Sequence, residues 1–505
     1  MAPPTSSTIG RLLLPIALLL AVALIDFAAM PGEFWGGDPI AWREETRSIL
    51  ISGELNVPAD FASRYGDPGQ FYVKHPTTGL YYSKFGLANS LMSLPPMWVQ
   101  KVLDIRTGSA AATTQTINVR GYRPSLLLFN LWNIVLSVVL AALLYVMTGW
   151  YTRRPLTRIV CVLTGLYCTA LAYYQRAQSS EIYQAIFFTA CFICLMSFLR
   201  DRAARWLVLT WLFVGLLVFT RLIYGLMMPL VIGLAIYAIV RDAPRSLARL
   251  APALLLPPIV ILALLGWLNF VKFGSPWASG YHIWKPETHL PVARWQDGVW
   301  GLLFAARFSI FLYFPLLIFA VIAYPRFARA HRLDTIVILA IFIVFLVVIG
   351  MIPTWAGEWT YGPRYVLFIL PVLSLPFITF VDELVIDRVN TWPGRAWGAV
   401  AVVCLAYSLY FQIQVNRLPF WSYYRERIAL EVAWNDASAA YFRDHHVGVV
   451  ADDLLRHRDD VDSLPFMAEM KKRVPPQFFE DYRNGLIEML RVGNWYWSLP
   501  PGQRG

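Results

Sequence analysis

Charged residues are scarce in this sequence. Of its 505 residues, 15% are Asp, Glu, Lys or Arg and 57% are hydrophobic, whereas a soluble domain usually carries about 25% charged residues. This balance excludes an ordinary soluble domain, an intrinsically disordered chain, a collagen-like repeat and a long coiled coil. The lipid bilayer is therefore the predicted solvent for most of the chain.

Cysteine is also rare. The five cysteines all fall inside apolar stretches and none lies in a polar loop: Cys161, Cys168, Cys191, Cys194 and Cys404. A secreted disulfide scaffold would place its cysteines in polar segments between short elements. No disulfide framework is predicted.

Several well-known site patterns are missing. The sequence has no Walker A motif, no Rossmann glycine pattern, no serine nucleophile elbow and no zinc-protease motif. His75 and His282 are isolated in the sequence, and no run of carboxylates has the spacing of a calcium loop. Neither a metal nor another cofactor is predicted, and ATP-driven transport, nicotinamide chemistry and proteolysis lack support.

Positive charge is present in excess, with a formal net charge of +11 at pH 7. Much of this excess is arginine in short segments between apolar runs, a distribution that is typical of membrane topology. No nucleic-acid partner is predicted.

About eleven apolar segments are candidates for membrane spans, since about 17 to 25 residues span a hydrocarbon core of about 30 Å as a helix. The sequence thus predicts an all-α polytopic membrane protein with about 11 transmembrane helices. A signal peptide is the alternative for the first segment, and a re-entrant loop is the alternative for the fifth and sixth. The segments lie at approximately 12–30, 124–149, 158–174, 183–199, 206–220, 224–240, 248–270, 304–324, 334–352, 365–381 and 396–415.

Arginine clusters occur in every second short loop, which predicts a cytoplasmic N-terminus and an outer C-terminus. The exception is the last inner loop, DELVIDRVNTWPGR, where acids outnumber arginines. The clusters comprise Arg153, Arg154 and Arg158; Arg200, Arg202 and Arg205; Arg241, Arg245 and Arg249; and Arg326, Arg329 and Arg332.

This topology leaves three sizeable outer segments, at about 31–122, 271–303 and 416–505. The last of them changes abruptly in composition and carries charged runs at helical spacing. We therefore divide the chain into a transmembrane catalytic module, residues 1–415 with the first outer loop at 31–122, and a small, mostly helical extracytoplasmic domain at 416–505.

The ionisable residues near span ends that do not belong to the inner basic loops all lie toward the outer face. Charges at membrane depth are costly and are usually functional or paired. A transporter would more often hold such groups near the midplane, so this one-sided pattern favours a reaction chamber at the outer surface. The residues are Asp26, Asp38, Arg176, Glu181, Arg221, Lys272, Arg307, Glu358 and Arg364.

The first outer loop contains WGGDPIAWREETRSILISGELNV, followed by YYSKFGLANSLMSLPPMWV. This loop resembles that of the GT-C class of membrane glycosyltransferases, which includes protein O-mannosyltransferases and the aminoarabinose transferase of lipid A. Three further segments agree with the class in order and predicted face: VFTRLIYGLMMP, NFVKFGSPWASGYH and WAGEWTYGPRYVLFILP.

The resemblance implies a glycosyltransferase that takes sugar from a polyprenyl-phosphate donor and passes it to an acceptor hydroxyl. In the class, an Asp early in the first outer loop is the general base, and the matching residue here is Asp38. Its alternative role is to cap a helix before Pro39. The class often has an acid directly after this Asp, whereas here the next acids are Glu44 and Glu45; helical spacing places Glu45 on the same side as Asp38. An exposed first-turn acid is the alternative for both.

For the donor phosphate, the matching segments offer Lys84, Arg221 and Arg364, with Arg307 and Lys272 behind them. Guanidinium and ammonium groups suit a phosphate because they donate several hydrogen bonds and carry positive charge. Residues of an interfacial aromatic belt are the alternative for the pocket tyrosines. The predicted substrate pocket consists of Tyr82, Tyr281, Tyr361, Glu358 and His282.

The sequence therefore predicts an inverting GT-C glycosyltransferase of a bacterial inner membrane that works without a metal. Its predicted partners are membrane lipids, a polyprenyl-phosphate sugar and a glycan, lipid or protein acceptor. The rival functions are a flippase or transporter of lipid-linked saccharides, and a glycan polymerase or ligase that uses undecaprenyl-diphosphate substrates. The long first loop with its early Asp38 argues against the flippase, and the absence of a large late outer loop argues against the polymerase.

Overall fold

A computed structural model describes residues 6–30, 37–62, 71–107, 126–176, 179–242, 244–284, 293–305, 308–355, 361–417 and 460–476, with single residues and pairs between 441 and 486. Helices dominate these residues, as the long apolar runs require in a bilayer. From the N-terminus, the helices are α1 (Ser6–Ala28), α2 (Gly37–Ser52), α3 (Ala59–Ala62), α4 (Leu87–Met92), α5 (Leu94–Thr107), α6 (Leu126–Thr148), α7 (Pro155–Tyr167), α8 (Leu171–Gln175), α9 (Ser180–Asp201), α10 (Ala204–Thr220), α11 (Met227–Asp242) and α12 (Leu247–Phe273).

The second half of the chain continues the same architecture. Short 3₁₀ turns lie at Leu222–Leu226, Pro244–Ser246, Arg364–Ile369 and Val461–Ser463, and a π-helix lies at Phe380–Ile386. The remaining helices are α13 (Gly280–Trp284), α14 (Trp295–Phe304), α15 (Ile310–Tyr313), α16 (Leu317–Ala330), α17 (Arg332–Gly350), α18 (Leu370–Leu373), α19 (Pro376–Thr379), α20 (Trp392–Arg417) and α21 (Pro465–Arg473).

Six of the described helical segments are long and apolar enough to cross a membrane, and a seventh span results if Arg364–Leu373 and Pro376–Ile386, which meet at 42°, are taken together. Three shorter apolar helices, Leu13–Ala28, Pro155–Tyr167 and Ala204–Thr220, lie at predicted span positions. The chain is thus an integral, polytopic helical membrane protein, as predicted. By length and composition the described helices give six or seven spans, so the number of eleven stays a prediction.

Helix α9 is the centre of the bundle. Within its most apolar window, 89% of the residues are buried inside the protein, and its sequence is apolar all round, as expected for a helix surrounded by other helices. It packs on α6, α10 and the turn Arg364–Ile369. Residues at the start of α9 therefore meet residues from distant parts of the chain.

One predicted span is wrong as a single helix. The segment 304–324 is interrupted, because α15 ends at Tyr313 and α16 begins only at Leu317. Pro315 lies in this gap, and proline cannot donate the backbone hydrogen bond that a continuing helix needs. Ser309 starts α15 by accepting hydrogen bonds from the backbone N–H groups of two following residues.

The predicted first outer loop contains a small sheet, so the all-α prediction needs a correction. Its strands, β1 (Asn56–Val57), β2 (Tyr72–Lys74) and β3 (Tyr81–Ser83), are antiparallel in the order β1-β3-β2. Tyr82 pairs with Asn56 on one side and with Val73 on the other. Strands of two or three residues are too short to show an alternating pattern in the sequence.

Each end of the bundle carries its own set of charged side chains. Glu181 opens α9 and Arg200 lies in its last turn, so the two are about 28 Å apart along the helix. At the Arg200 end, the predicted inner arginines meet acids from other loops. The ion pairs there are Arg200–Asp334, Arg202–Asp242, Arg154 with Asp382 and Asp387, and Arg326–Glu383.

These ion pairs explain the exceptional inner loop. Its acids Asp382, Glu383 and Asp387 pair with the arginines of the preceding clusters, and Thr157 donates a hydrogen bond of 2.6 Å to Asp382. The acidic composition of this loop therefore reflects pairing on the same side as the basic clusters.

The described part of the tail has an apolar core of its own. Val461, Leu464, Phe466, Met467 and Met470 are buried together, with contributions from other described residues between 450 and 486. Helix α21 supplies Phe466, Met467 and Met470, and the turn Val461–Ser463 supplies Val461. The division of the chain near residue 415 remains a prediction.

Candidate active site

Asp38 lies in the first turn of α2, at the end of the bundle opposite the arginines that are predicted to be inner. Its carboxylate is half-buried, with 28% of the side chain exposed, and Arg364 Nη2 donates a hydrogen bond of 2.9 Å to Asp38 Oδ2. The partner stands 326 positions later, at the start of the turn Arg364–Ile369. The carboxylate is therefore held by a tertiary contact while part of it stays open.

Arg364 is shared between two acids. Its Nε donates to Glu181 Oε1, and the same oxygen accepts a hydrogen bond of 3.2 Å from Arg221 Nη2. Arg221 follows the last residue of α10, where the backbone is extended. The ring of Tyr365 lies 5.1 Å from the Arg221 guanidinium. Four charged side chains thus form one continuous chain: Asp38, Arg364, Glu181 and Arg221.

Lys84 lies directly after β3 and is buried. Its ammonium group lies 5.3 Å from the ring centroids of Phe85 and Tyr281 and 5.9 Å from that of Phe71. Aromatic rings stabilise a cation above their faces. Gly280 allows this approach, because a Cβ at that position would lie 2.5 Å from Lys84 Cα.

The electrostatics of the cluster act on Asp38. Burial by itself would raise the pKa of its carboxyl, but the positive charges of Arg364, Lys84 and Arg221 outweigh this effect and lower the pKa. Asp38 is therefore a carboxylate at neutral pH. Burial raises the pKa of Tyr281, which lies within the field of Asp38 and Arg221, so this tyrosine is a neutral hydrogen-bonding group.

A groove of about 50 Å³ adjoins the cluster. Lys84 and Arg221 line it and also act on Asp38. Its apolar wall comes from α10, the turn that follows α10, and α12. The groove therefore joins a cationic end to an apolar wall, which consists of Val218, Phe219, Leu222, Leu265, Leu268 and Phe273.

Glu45 and Lys272 lie beside this groove in a buried ion pair of 2.7 Å. Both oxygens of Glu45 are engaged, Oε1 by Lys272 and Oε2 by the hydroxyl of Ser90. Lys272 also donates a hydrogen bond of 3.1 Å to the backbone carbonyl of Phe85. Glu44 is buried and paired with Arg47 one turn later. Neither acid is an exposed first-turn residue.

The remaining predicted residues lie in different places. Tyr281 belongs to the cluster, whereas Tyr82 packs against His75 with ring centroids 6.1 Å apart. Tyr361 is buried among other tyrosines and bonds through its backbone to the hydroxyl of Tyr174. His282 is exposed and its Nδ1 lies 2.8 Å from Ser279 Oγ. Arg307 and Glu358 lie outside the described residues.

Sequence reasoning did not select Glu181 as a site residue, although it belongs to the one-sided group of ionisable side chains. None of the four class-like segments contains it. The available signal was an acid at the start of a long apolar helix, where a charge is costly without a partner. Within the described ranges, no group of three His, Cys, Asp or Glu side chains is arranged to hold a metal ion.

The fold and this cluster define a helical membrane protein in which carboxylates and cationic side chains form one site at one end of the helix bundle. No protein-family model and no curated protein sequence matches the chain. Among solved structures, it is similar to ArnT from Cupriavidus metallidurans bound to undecaprenyl phosphate, with a TM-score of 0.50 and 14% identity over 96% of this chain and 78% of that one.

A second similar structure is the apo form of the Archaeoglobus fulgidus oligosaccharyltransferase, with a TM-score of 0.49 and 13% identity over 79% of this chain and 55% of that one. ArnT, a lipid A aminoarabinose transferase, is a GT-C protein. The predicted resemblance is confirmed at the level of the fold, which this chain shares with ArnT.

Proposed function

We propose that this protein is a glycosyltransferase that moves a sugar from a polyprenyl-phosphate donor to an acceptor hydroxyl. The observation that carries the proposal is Asp38 beside Arg364, Lys84 and Arg221, two of which also line a groove with an apolar wall. A carboxylate next to a cationic pocket suits a reaction in which one group accepts a proton and another leaves as a phosphate. The similar ArnT structure is described as bound to undecaprenyl phosphate.

The proposed reaction is a single displacement with inversion. The acceptor oxygen attacks the anomeric carbon, the bond from that carbon to the phosphate oxygen breaks, and Asp38 takes the hydroxyl proton. Arg364, Arg221 and Lys84 stabilise the charge that develops on the leaving phosphate. General-base catalysis of this kind contributes about 10² to 10⁴-fold to the rate.

The proposed location is the outer face of a bacterial inner membrane, with the N-terminus in the cytoplasm and the tail outside. Nucleotide sugars are confined to the cytoplasm, so a lipid must carry the sugar to this face. The cluster lies at the bundle end opposite the ion-paired inner arginines, which supports this orientation.

The test compares transfer and donor binding in purified protein given radiolabelled polyprenyl-phosphate sugars. Asp38→Asn keeps the size of the side chain but removes the base, so we expect donor binding close to wild type and a loss of transfer of about 100-fold or more. Transfer at the wild-type rate in Asp38→Asn would overturn the proposed base.

The cations are tested separately. Lys84→Met, Arg221→Gln and Arg364→Gln each remove a positive charge from the phosphate pocket, and we expect each to weaken donor binding by about ten-fold. Arg326→Gln is the matched control, because Arg326 lies at the other end of the bundle near Glu383. Wild-type donor affinity in all three pocket variants would refute the phosphate site.

A further inference from the structure

Glu181 is the most deeply buried charge of the cluster. Only 1% of its side chain is exposed, and its Oε2 has no hydrogen-bond partner among the described residues. The other oxygen, Oε1, accepts hydrogen bonds from both Arg364 and Arg221. A carboxylate this far from water is costly unless cations compensate it, so the contacts with the two arginines are the reason it is tolerated here.

The contact determines how Arg364 faces Asp38. A guanidinium is a rigid, planar fork whose donors point in fixed directions. With Nε bonded to Glu181, Nη2 is directed at Asp38 Oδ2 at 2.9 Å. Glu181 therefore orients the group that holds Asp38 without touching Asp38 itself.

Glu181 also sets the charge of the pocket. Arg364, Arg221 and Lys84 carry three positive charges, and Asp38 and Glu181 carry two negative ones, which leaves a surplus of one positive charge among these described side chains. A phosphodiester carries one negative charge and so matches this surplus. Without Glu181, the two arginines would repel each other and the pocket would hold an anion more strongly.

We propose that Glu181 is a positioning residue of the transfer reaction: it orients Arg364 toward Asp38 and limits the positive charge of the phosphate pocket so that the product is released. This inference rests on the proposed function. It concerns a residue outside every segment that resembles the GT-C class, and it assigns Glu181 a role in both the base and the phosphate site.

The test uses three substitutions of Glu181 in the full chain. Glu181→Gln keeps an acceptor oxygen but removes the charge, Glu181→Asp keeps the charge but withdraws it by one methylene, and Glu181→Ala removes both. Glu383→Gln is the matched control, since Glu383 pairs with an arginine at the opposite end of the bundle. Transfer is measured from about pH 2 to pH 8, so that the acid limb of each variant lies within the range, together with binding of undecaprenyl phosphate.

We expect Glu181→Gln to lower kcat about ten-fold and to bind undecaprenyl phosphate about five-fold more tightly, because the pocket gains a positive charge. The acid limb of its pH profile should move down by about 0.5 to 1 unit, since the added positive potential makes Asp38 harder to protonate. Asp38 is faced by Arg364, Arg221, Lys84 and Tyr281, and Glu181 is faced by Arg364, Arg221 and Tyr224, while Tyr365 lies near the two arginines. Glu181→Asp should lower kcat without shifting the acid limb of the pH profile. Glu181→Ala should show the largest loss of transfer activity.

An unchanged acid limb and unchanged lipid affinity in Glu181→Gln would overturn the proposal, even if kcat fell, because a packing role would reduce activity without shifting either. If Glu181→Gln does not fold, Glu181→Asp decides, since wild-type kcat in that variant would show that the position of the carboxylate is unimportant. If the wild type transfers no sugar but Glu181→Gln binds the lipid more tightly, the proposed function fails, while the role of Glu181 in limiting the positive charge of the phosphate pocket is supported.

Discussion

Asp38, the proposed base, is kept ionised by its surroundings without being buried completely. The lowered pKa of its carboxyl results from Arg364, Lys84 and Arg221, whose charges outweigh the effect of burial. A base with a lowered pKa is a weaker proton acceptor, but it is present as the carboxylate at every physiological pH. The lowered pKa therefore makes Asp38 a weaker proton acceptor but keeps it ionised.

This balance predicts the pH dependence of transfer. In the proposed mechanism Asp38 must be ionised to accept a proton, so we expect full activity at neutral pH and a loss of activity as the pH falls through the lowered pKa of Asp38. We expect kcat/KM to stay level down to about pH 4, the ordinary range of an aspartic acid, and to fall only below it. The measurement is the pH profile of sugar transfer.

The variant Arg364→Gln provides the complementary test. Loss of the nearest positive charge lets burial dominate, so the pKa of Asp38 rises and the acid limb moves upward by about one unit or more. If the acid limb of the pH profile does not shift in Arg364→Gln, Asp38 is not the group whose ionisation controls transfer.

Several site residues could be selected from the sequence and others could not. Asp38, Lys84, Arg221 and Arg364 lie in segments that resemble a known class, and the structure brings these four together. Glu181 lies outside those segments, and its importance depends on arginines 40 and 183 positions later. Such a partner cannot be identified from local pattern.

At the scale of elements, the pair Glu45–Lys272 joins the first outer loop to the membrane body. Glu45 belongs to α2 and Lys272 to the last turn of α12, and both side chains are almost completely buried. The structure therefore supports a role for this pair in fixing α2, and with it Asp38, on the bundle.

We expect Glu45→Gln and Lys272→Met each to destabilise the protein by about 3 to 5 kcal/mol, because each leaves a buried charge without its partner. The double substitution should cost less than the sum of the two. Thermal unfolding in detergent measures these effects, and the partly exposed pair Glu469–Arg473 is the control, with an expected loss below about 1 kcal/mol. Additive losses in the double variant would contradict direct pairing.

The contact between α13 and the residue after β3 gives a second prediction at this scale. Gly280→Ala places a Cβ 2.5 Å from Lys84 Cα, so the backbone that carries Lys84 must shift. We expect donor affinity to fall about ten-fold, since small displacements of a binding group are costly. Gly233→Ala is the control, because a Cβ there meets nothing within 4 Å. Equal affinity in the two variants would contradict the role of this close approach.

At the scale of the whole molecule, the orientation in the membrane can be tested with a membrane-impermeant maleimide. Trp277 follows α12 at the site end and Trp392 begins α20 at the opposite end, and both are highly exposed. We expect Trp277→Cys, but not Trp392→Cys, to react in intact spheroplasts. The reverse result would place the site in the cytoplasm and remove the reason for a lipid-carried sugar.

Hydropathy by itself determined that the chain crosses a membrane and where most spans lie, because exposing polar backbone to lipid is costly and long apolar runs avoid that cost by forming helices. The charge pattern of the sequence showed that arginine is concentrated in every second short loop. Both properties depend only on residues that are close together in the chain. Tertiary structure decided which charges meet: Glu181 with two arginines, Glu45 with Lys272, and the acidic inner loop with the basic clusters. These contacts join residues far apart in the chain, and only the packing of the helices determines which side chains face one another.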